Sequence, residues 1–70
     1  MKEVLIENGW YNYATGCACQ GLPRYYKHQD YPEYRIVTKG GCGIIKKSGI
    51  EIFKTKVAEE LISKIKEMTN

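Results

Sequence analysis

Tyr34-Arg35-Ile36-Val37-Thr38-Lys39-Gly40-Gly41-Cys42-Gly43-Ile44-Ile45-Lys46-Lys47-Ser48-Gly49-Ile50-Glu51-Ile52-Phe53-Lys54 is the stretch that decides the fold. Two short breaks, Gly40-Gly41 and Ser48-Gly49, divide it into the runs Tyr34–Lys39, Cys42–Lys47 and Ile50–Lys54. Glycine tolerates the positive φ that a tight hairpin demands, and each run is rich in β-branched or aromatic residues. The stretch therefore predicts a three-stranded antiparallel meander. Taken literally, the two-residue loops also set its register. Ile45 pairs with Ile36 on one side and Ile52 on the other, with Tyr34 and Ile50 on the same face. Successive side chains alternate between faces, so the opposite face takes Val37, Ile44 and Phe53, together with Arg35, Cys42 and a Lys46–Glu51 cross-strand pair. The first face reads as core. The second is a candidate partner surface carried by Val37, Ile44 and Phe53.

Downstream, residues 55–69 read as a helix with its body from about Lys56 to Met68. Val57, Leu61, Ile65 and Met68 recur at helical spacing, and Ala58 and Ile62 widen the stripe. Glu59, Glu60, Ser63, Lys64, Lys66 and Glu67 make a wet face, with Glu60 and Lys64 placed as a favourable i,i+4 pair. Thr55 is the expected N-cap. The apolar stripe has an obvious target in the Ile36–Ile45–Ile52 face.

Upstream, residues 1–14 read as a second hairpin. Asn8-Gly9 is the strongest short hairpin signal, and it lies between Val4-Leu5-Ile6 and Trp10-Tyr11-Asn12-Tyr13. Residues 15–33 are the irregular part, with Gly16, Gly21, Pro23 and Pro32 around a short strand candidate at Arg24-Tyr25-Tyr26-Lys27. A loop of that length in a compact domain tends to serve function, which makes this segment the expected home of a site. The expected fold is α+β: one domain over residues 1–70, with about four or five short antiparallel strands and a C-terminal amphipathic helix on one face.

Composition limits the classes of function. Seventy residues give one thin core, and such domains often use a staple, a metal or a partner chain. The net charge is +3, and the excess lies entirely in residues 36–70, where seven lysines face four glutamates. No run approaches the ~20 apolar residues of a membrane span, and the N-terminus lacks the apolar core of a secretory signal. The chain is expected to be soluble and cytoplasmic, away from membranes and with reduced thiols.

Two constellations could carry chemistry. On an extended backbone Cys17 and Cys19 point to one side; with His28 and Cys42 they would make a Cys₃His zinc set. Against this, zinc pairs are usually separated by two to four residues rather than one, and free cysteines commonly serve as small buried hydrophobes. A disulfide between Cys17 and Cys19 would close a very tight ring and is not expected. Arg24, Tyr25, Tyr26 and Lys27, with Lys46 and Lys47, interleave aromatics with cations as single-strand stacking surfaces do. The bland alternative is that the tyrosines pack and the lysines solvate strand ends. No nucleophile–base–orienter arrangement is visible, and His28 reads as an ordinary surface histidine, so an enzyme is not expected. The leading expectation is a non-catalytic interaction module acting on a protein partner or as a homodimer. A nucleic-acid-binding domain and a zinc-stabilised module are the alternatives.

Overall fold

The three runs between residues 34 and 55 form strands, as their turn signals require. A computed structural model describes residues 2–69 of the chain. Its elements are helix α1 (Lys2–Glu7), strands β1 (Tyr11–Thr15), β2 (Arg24–Lys27), β3 (Tyr34–Lys39), β4 (Cys42–Lys47) and β5 (Ile50–Thr55), and helix α2 (Ala58–Thr69); a single 3₁₀ turn spans Ala18–Gln20. The strands form one five-stranded antiparallel sheet in the order β1-β2-β3-β4-β5. The α+β class and the C-terminal helix are as the sequence predicts.

The β3–β4 register is also as predicted, with Ile36 opposite Ile45 and Val37 opposite Ile44. Both turn residues at Gly40-Gly41 have positive φ, 56° and 81°, as do Ser48 and Gly49 at 53° and 84°. The β4–β5 register departs from expectation. A bulge after Ile45 puts Phe53, not Ile52, opposite Ile45, while Lys46 still pairs with Glu51. The extra residue is Ile52, which is 40% exposed, and Ile50 is 68% exposed. Phe53 packs against the core instead of joining the outer surface. A bulge inserts one residue into one strand, so every side chain beyond it changes face relative to a regular ladder.

Residues 2–14 do not form the expected hairpin; Met1 lies outside the described residues. Val4-Leu5-Ile6 lies in α1, and Asn8-Gly9 stops that helix. Gly9 has φ +91°, the Gly9 amide donates to Ile6 O at 3.1 Å, and the Trp10 amide donates to Leu5 O at 2.9 Å. This is the Schellman arrangement, in which a left-handed glycine closes a helix C-terminus. Its usual companion, an apolar pair at the two flanking positions, is present as Leu5 and Trp10, both in the core. The left-handed preference that makes Asn-Gly a hairpin turn also makes it a helix stop.

Both helices cover the same face of the sheet. The core unites Leu5 and Trp10 with Tyr26, Tyr34, Ile36 and Ile45 from the strands and Leu61, Ile62 and Ile65 from α2. Fully burying each aliphatic side chain contributes roughly 1.5–3 kcal/mol. Helix α2 starts later than predicted. Thr55 Oγ1 accepts the Val57 amide at 3.2 Å and donates to Glu60 Oε2 at 2.7 Å, so Val57 sits ahead of the helix and is 46% exposed. The buried stripe therefore begins at Ala58. No helix among the described residues is long and apolar enough to cross a membrane.

Candidate nucleic-acid interface

Alternation along the strands assigns the residues of the uncovered face. Tyr26, Ile36, Ile45 and Phe53 lie in register under the helices. Their neighbours Tyr25, Lys27, Arg35, Val37, Ile44, Lys46 and Lys54 therefore share the other side. Strand β1 adds to that side through a second bulge. Tyr11 pairs with Lys27 and Ala14 with Tyr25, leaving Tyr13 as the extra residue.

The aromatics and cations of this face interleave. Lys27 Nζ lies 5.6 Å from the Tyr11 ring centroid and 5.1 Å from that of Tyr13. The Arg35 guanidinium carbon lies 5.7 Å from the Tyr13 ring, and the Tyr13 and Tyr25 rings are 6.3 Å apart with 47° between their planes. Each exposed cation–π contact is worth about 0.5–1 kcal/mol, enough to bias side-chain positions without locking them. Arg35 is held more firmly, because its Nη1 donates to Pro32 O at 2.7 Å and Tyr34 O at 2.9 Å. Tyr11 and Tyr13 keep 48% and 44% of their surface in solvent. Two partly exposed rings flanked by cations can stack planar groups and neutralise anions at once.

The residues singled out from the sequence divide between the two faces. Tyr25, Lys27 and Lys46 lie on the uncovered face, but Tyr26 is fully buried in the core. Arg24 shares Tyr26's side of β2 and borders a groove with Lys2, Glu3 and Lys39. Lys47 turns the same way, 5.6 Å from the Tyr34 ring and 4.0 Å from the Glu33 carboxylate. Sequence reasoning missed Tyr11, Tyr13 and Arg35 as members of the patch. The signal for the two tyrosines lies in the alternating aromatics of Trp10-Tyr11-Asn12-Tyr13, but a hairpin with residues 4–6 joins them to the wrong neighbour.

Of the expected partner surface, only Ile44 remains usable, being partly exposed on the open face. Val37 lies there too, yet it is only 6% exposed and has little surface left to bury. Phe53 is on the helix side.

The proposed zinc ligands are not brought together. Cys17 and Cys19 are bonded to each other as a disulfide, contrary to the expectation that their ring would be too tight. The extended backbone of Cys17 entering the 3₁₀ turn leaves the two Cα atoms 5.4 Å apart, within the ordinary disulfide range. Cys42 is a partly buried free thiol opposite Lys39 at the β3–β4 turn. His28 has both ring nitrogens engaged: Nδ1 accepts the Asp30 amide at 2.9 Å, and Nε2 lies 2.9 Å from Asn8 O. That pattern requires the Nε2–H tautomer, donating to the carbonyl. The ring also meets Trp10 edge-on at 5.2 Å and Tyr31 at 4.8 Å, so it fastens the end of α1 to the β2–β3 connection. Among the described residues no group of three or more His, Cys, Asp or Glu side chains stands close enough to hold a metal.

The fold and this face define a small helix-backed β-meander with one open, cation-rich aromatic surface. Comparison with protein-family models, curated proteins and solved structures gives no match.

Proposed function

We propose that the protein is a non-catalytic cytoplasmic binding module whose open sheet face receives single-stranded nucleic acid. The observation that carries this reading is the interleaving of Tyr11, Tyr13 and Tyr25 with Lys27 and Arg35 on a face that neither helix covers. Bases stack on exposed rings whatever their sequence, and Lys27, Arg35, Lys46 and Lys54 supply charge for the phosphates. The same face argues against double-stranded partners, because a shallow sheet surface offers nothing that enters a groove. An apolar protein partner has less to bury here, given the cover over Val37.

Fluorescence anisotropy with a labelled mixed-sequence oligonucleotide tests the proposal. Single strands should bind in preference to duplex, and affinity should fall as salt rises. Tyr13→Ala should lose about 1–3 kcal/mol of binding, the usual value of one stacked base. Lys46→Glu should both weaken binding and flatten the salt dependence. Absence of single-strand binding at low salt would refute the proposal.

A protein partner or a second copy is the competing reading, and one observation favours it. Edge strand β5 exposes Ile50 and Ile52 beside unpaired backbone groups, a surface to which another strand could add. Light scattering across a concentration series tests the homodimer form. A strict monomer throughout would exclude it. A zinc-stabilised module is the weakest of the three, because its four residues do not converge.

A further inference from the structure

We propose that Cys17–Cys19 is a thiol–disulfide exchange site that accepts electrons from a protein dithiol and returns them to a protein disulfide. The pair lies in the loop joining β1 to β2, at one end of the sheet. That loop keeps its shape through its own backbone: the Gly16 amide donates to Pro23 O at 2.7 Å, Leu22 to Cys17 O at 3.2 Å and Gly21 to Ala18 O at 3.0 Å. Cys17, Ala18 and Cys19 are all exposed, so an incoming thiolate meets no cover. The bond links residues only two apart, and a loop so short removes little freedom from the unfolded chain. Its contribution to the fold is accordingly small, whereas its accessibility is high, and exposed disulfides are the labile, exchanging ones.

Two neighbours suit this role. Lys39 runs its side chain along Gly21, so closely that a Cβ on Gly21 would fall 3.0 Å from Lys39 Cε. Its ammonium puts a positive charge beside the loop, which attracts an incoming thiolate. Leu22 sits at φ +51° with 55% of its surface exposed, an apolar contact for a docking partner beside the sulfurs.

The step balances without a further reagent. A partner thiolate attacks one sulfur; the Cys17–Cys19 bond breaks, a mixed disulfide forms, and the displaced thiolate takes a proton from solvent. The partner's second thiol, giving up its proton, then attacks the partner sulfur of the mixed disulfide, and the protein's cysteine leaves as a thiolate and takes up a proton. This releases an oxidised partner and a second free cysteine. Two electrons and two protons pass from partner to protein, and the reverse sequence returns them.

The test uses the full chain with Cys42→Ser, which removes the third thiol. Dithiothreitol should reduce the folded protein, and maleimide should then add to two cysteines while the circular dichroism spectrum stays unchanged. Reduced protein challenged with glutathione disulfide should end with no adduct, because the second cysteine expels the first glutathione and restores the bond. Cys17→Ser and Cys19→Ser variants, checked for folding by the same spectrum, should instead retain one glutathione. Clearance from the two-cysteine protein should be faster than from either variant by about tenfold or more. A lasting adduct on the two-cysteine protein would overturn the proposal. So would a bond that dithiothreitol reduces only after the protein is unfolded, and both of these arms need no cysteine variant beyond the Cys42→Ser background.

Discussion

Tyr26→Phe should make the protein more stable, and the reason lies in one atom. Tyr26 is fully buried among Ile36, Ile45 and the helices, yet its hydroxyl has no hydrogen-bond partner among the described residues. A buried polar group without a partner costs about 1–3 kcal/mol of desolvation. Deleting the oxygen recovers that cost and leaves the ring packing intact. The space vacated is about that of one oxygen atom, and at ~24 cal/mol per Å³ of cavity the penalty is a few tenths of a kcal/mol. The net expectation is a gain of about 1 kcal/mol, equivalent to roughly 4–8 °C in Tm for a domain of this size. Urea unfolding monitored by circular dichroism would read the same change as a midpoint raised by about 1 M with the slope unaltered. Tyr11→Phe, on the exposed face, is the control and should stay within about 0.5 kcal/mol of the parent. A midpoint that is unchanged or lower for Tyr26→Phe would refute the reasoning. It would mean that the hydroxyl is satisfied within the folded state, and that the core is less dry than its burial implies.

Four other substitutions or treatments have definite expected outcomes. The bulge in β5 predicts opposite sensitivities at adjacent positions: Phe53→Ala should cost about 2 kcal/mol or more, and Ile52→Ala under about 0.5, measured by urea unfolding. The unbulged register predicts the reverse order. Gly9→Ala should destabilise by about 2 kcal/mol or more, since a left-handed alanine is strained and its Cβ would fall 2.5 Å from His28 Nε2. A thermal melt reads this directly, and an unchanged Tm would remove the helix-stop account of Asn8-Gly9. EDTA should leave the melt of protein purified without chelator unaltered; a fall in Tm would restore the zinc reading of Cys17, Cys19, His28 and Cys42.

The legible and illegible parts of the sequence differ in the range of the interactions that decide them. Strands β2, β3 and β4 and helix α2 were readable because periodicity and turn residues act locally, and here tertiary packing agrees with them. The β5 bulge was not readable, because nothing in Ile50-Glu51-Ile52-Phe53 separates a regular register from a shifted one. The outcome depends on which side chain fills the space between Ile45 and α2, and the larger Phe53 occupies it. The absence of a hairpin over residues 2–14 has a related cause. Asn8-Gly9 encodes a left-handed residue but not what precedes it, and a run as short as Val4-Leu5-Ile6 carries no period to separate strand from helix. The core decides, since a helix there delivers Leu5 and Trp10 together onto α2 and the sheet.

The same choice of partner for β1 decides the site. With β1 paired to β2 rather than to residues 4–6, Tyr11 and Tyr13 come beside Lys27 and Arg35, and the aromatic patch exists only in that topology. The same pairing leaves residues 16–23 as the turn of a hairpin and exposes the two cysteines at its tip. Both surfaces proposed to act therefore depend on one long-range choice, the partner of β1. A substitution that weakens the β1–β2 pairing, such as Asn12→Ala, tests the dependence: it removes side-chain donation to Ala14 O at 2.9 Å and Tyr25 O at 3.2 Å. The expected loss is about 1 kcal/mol of stability, at the ordinary net worth of such bonds. Oligonucleotide binding should fall in the same variant although Asn12 itself lies on the helix side. Unchanged binding in a measurably destabilised protein would separate the patch from the pairing and refute the link.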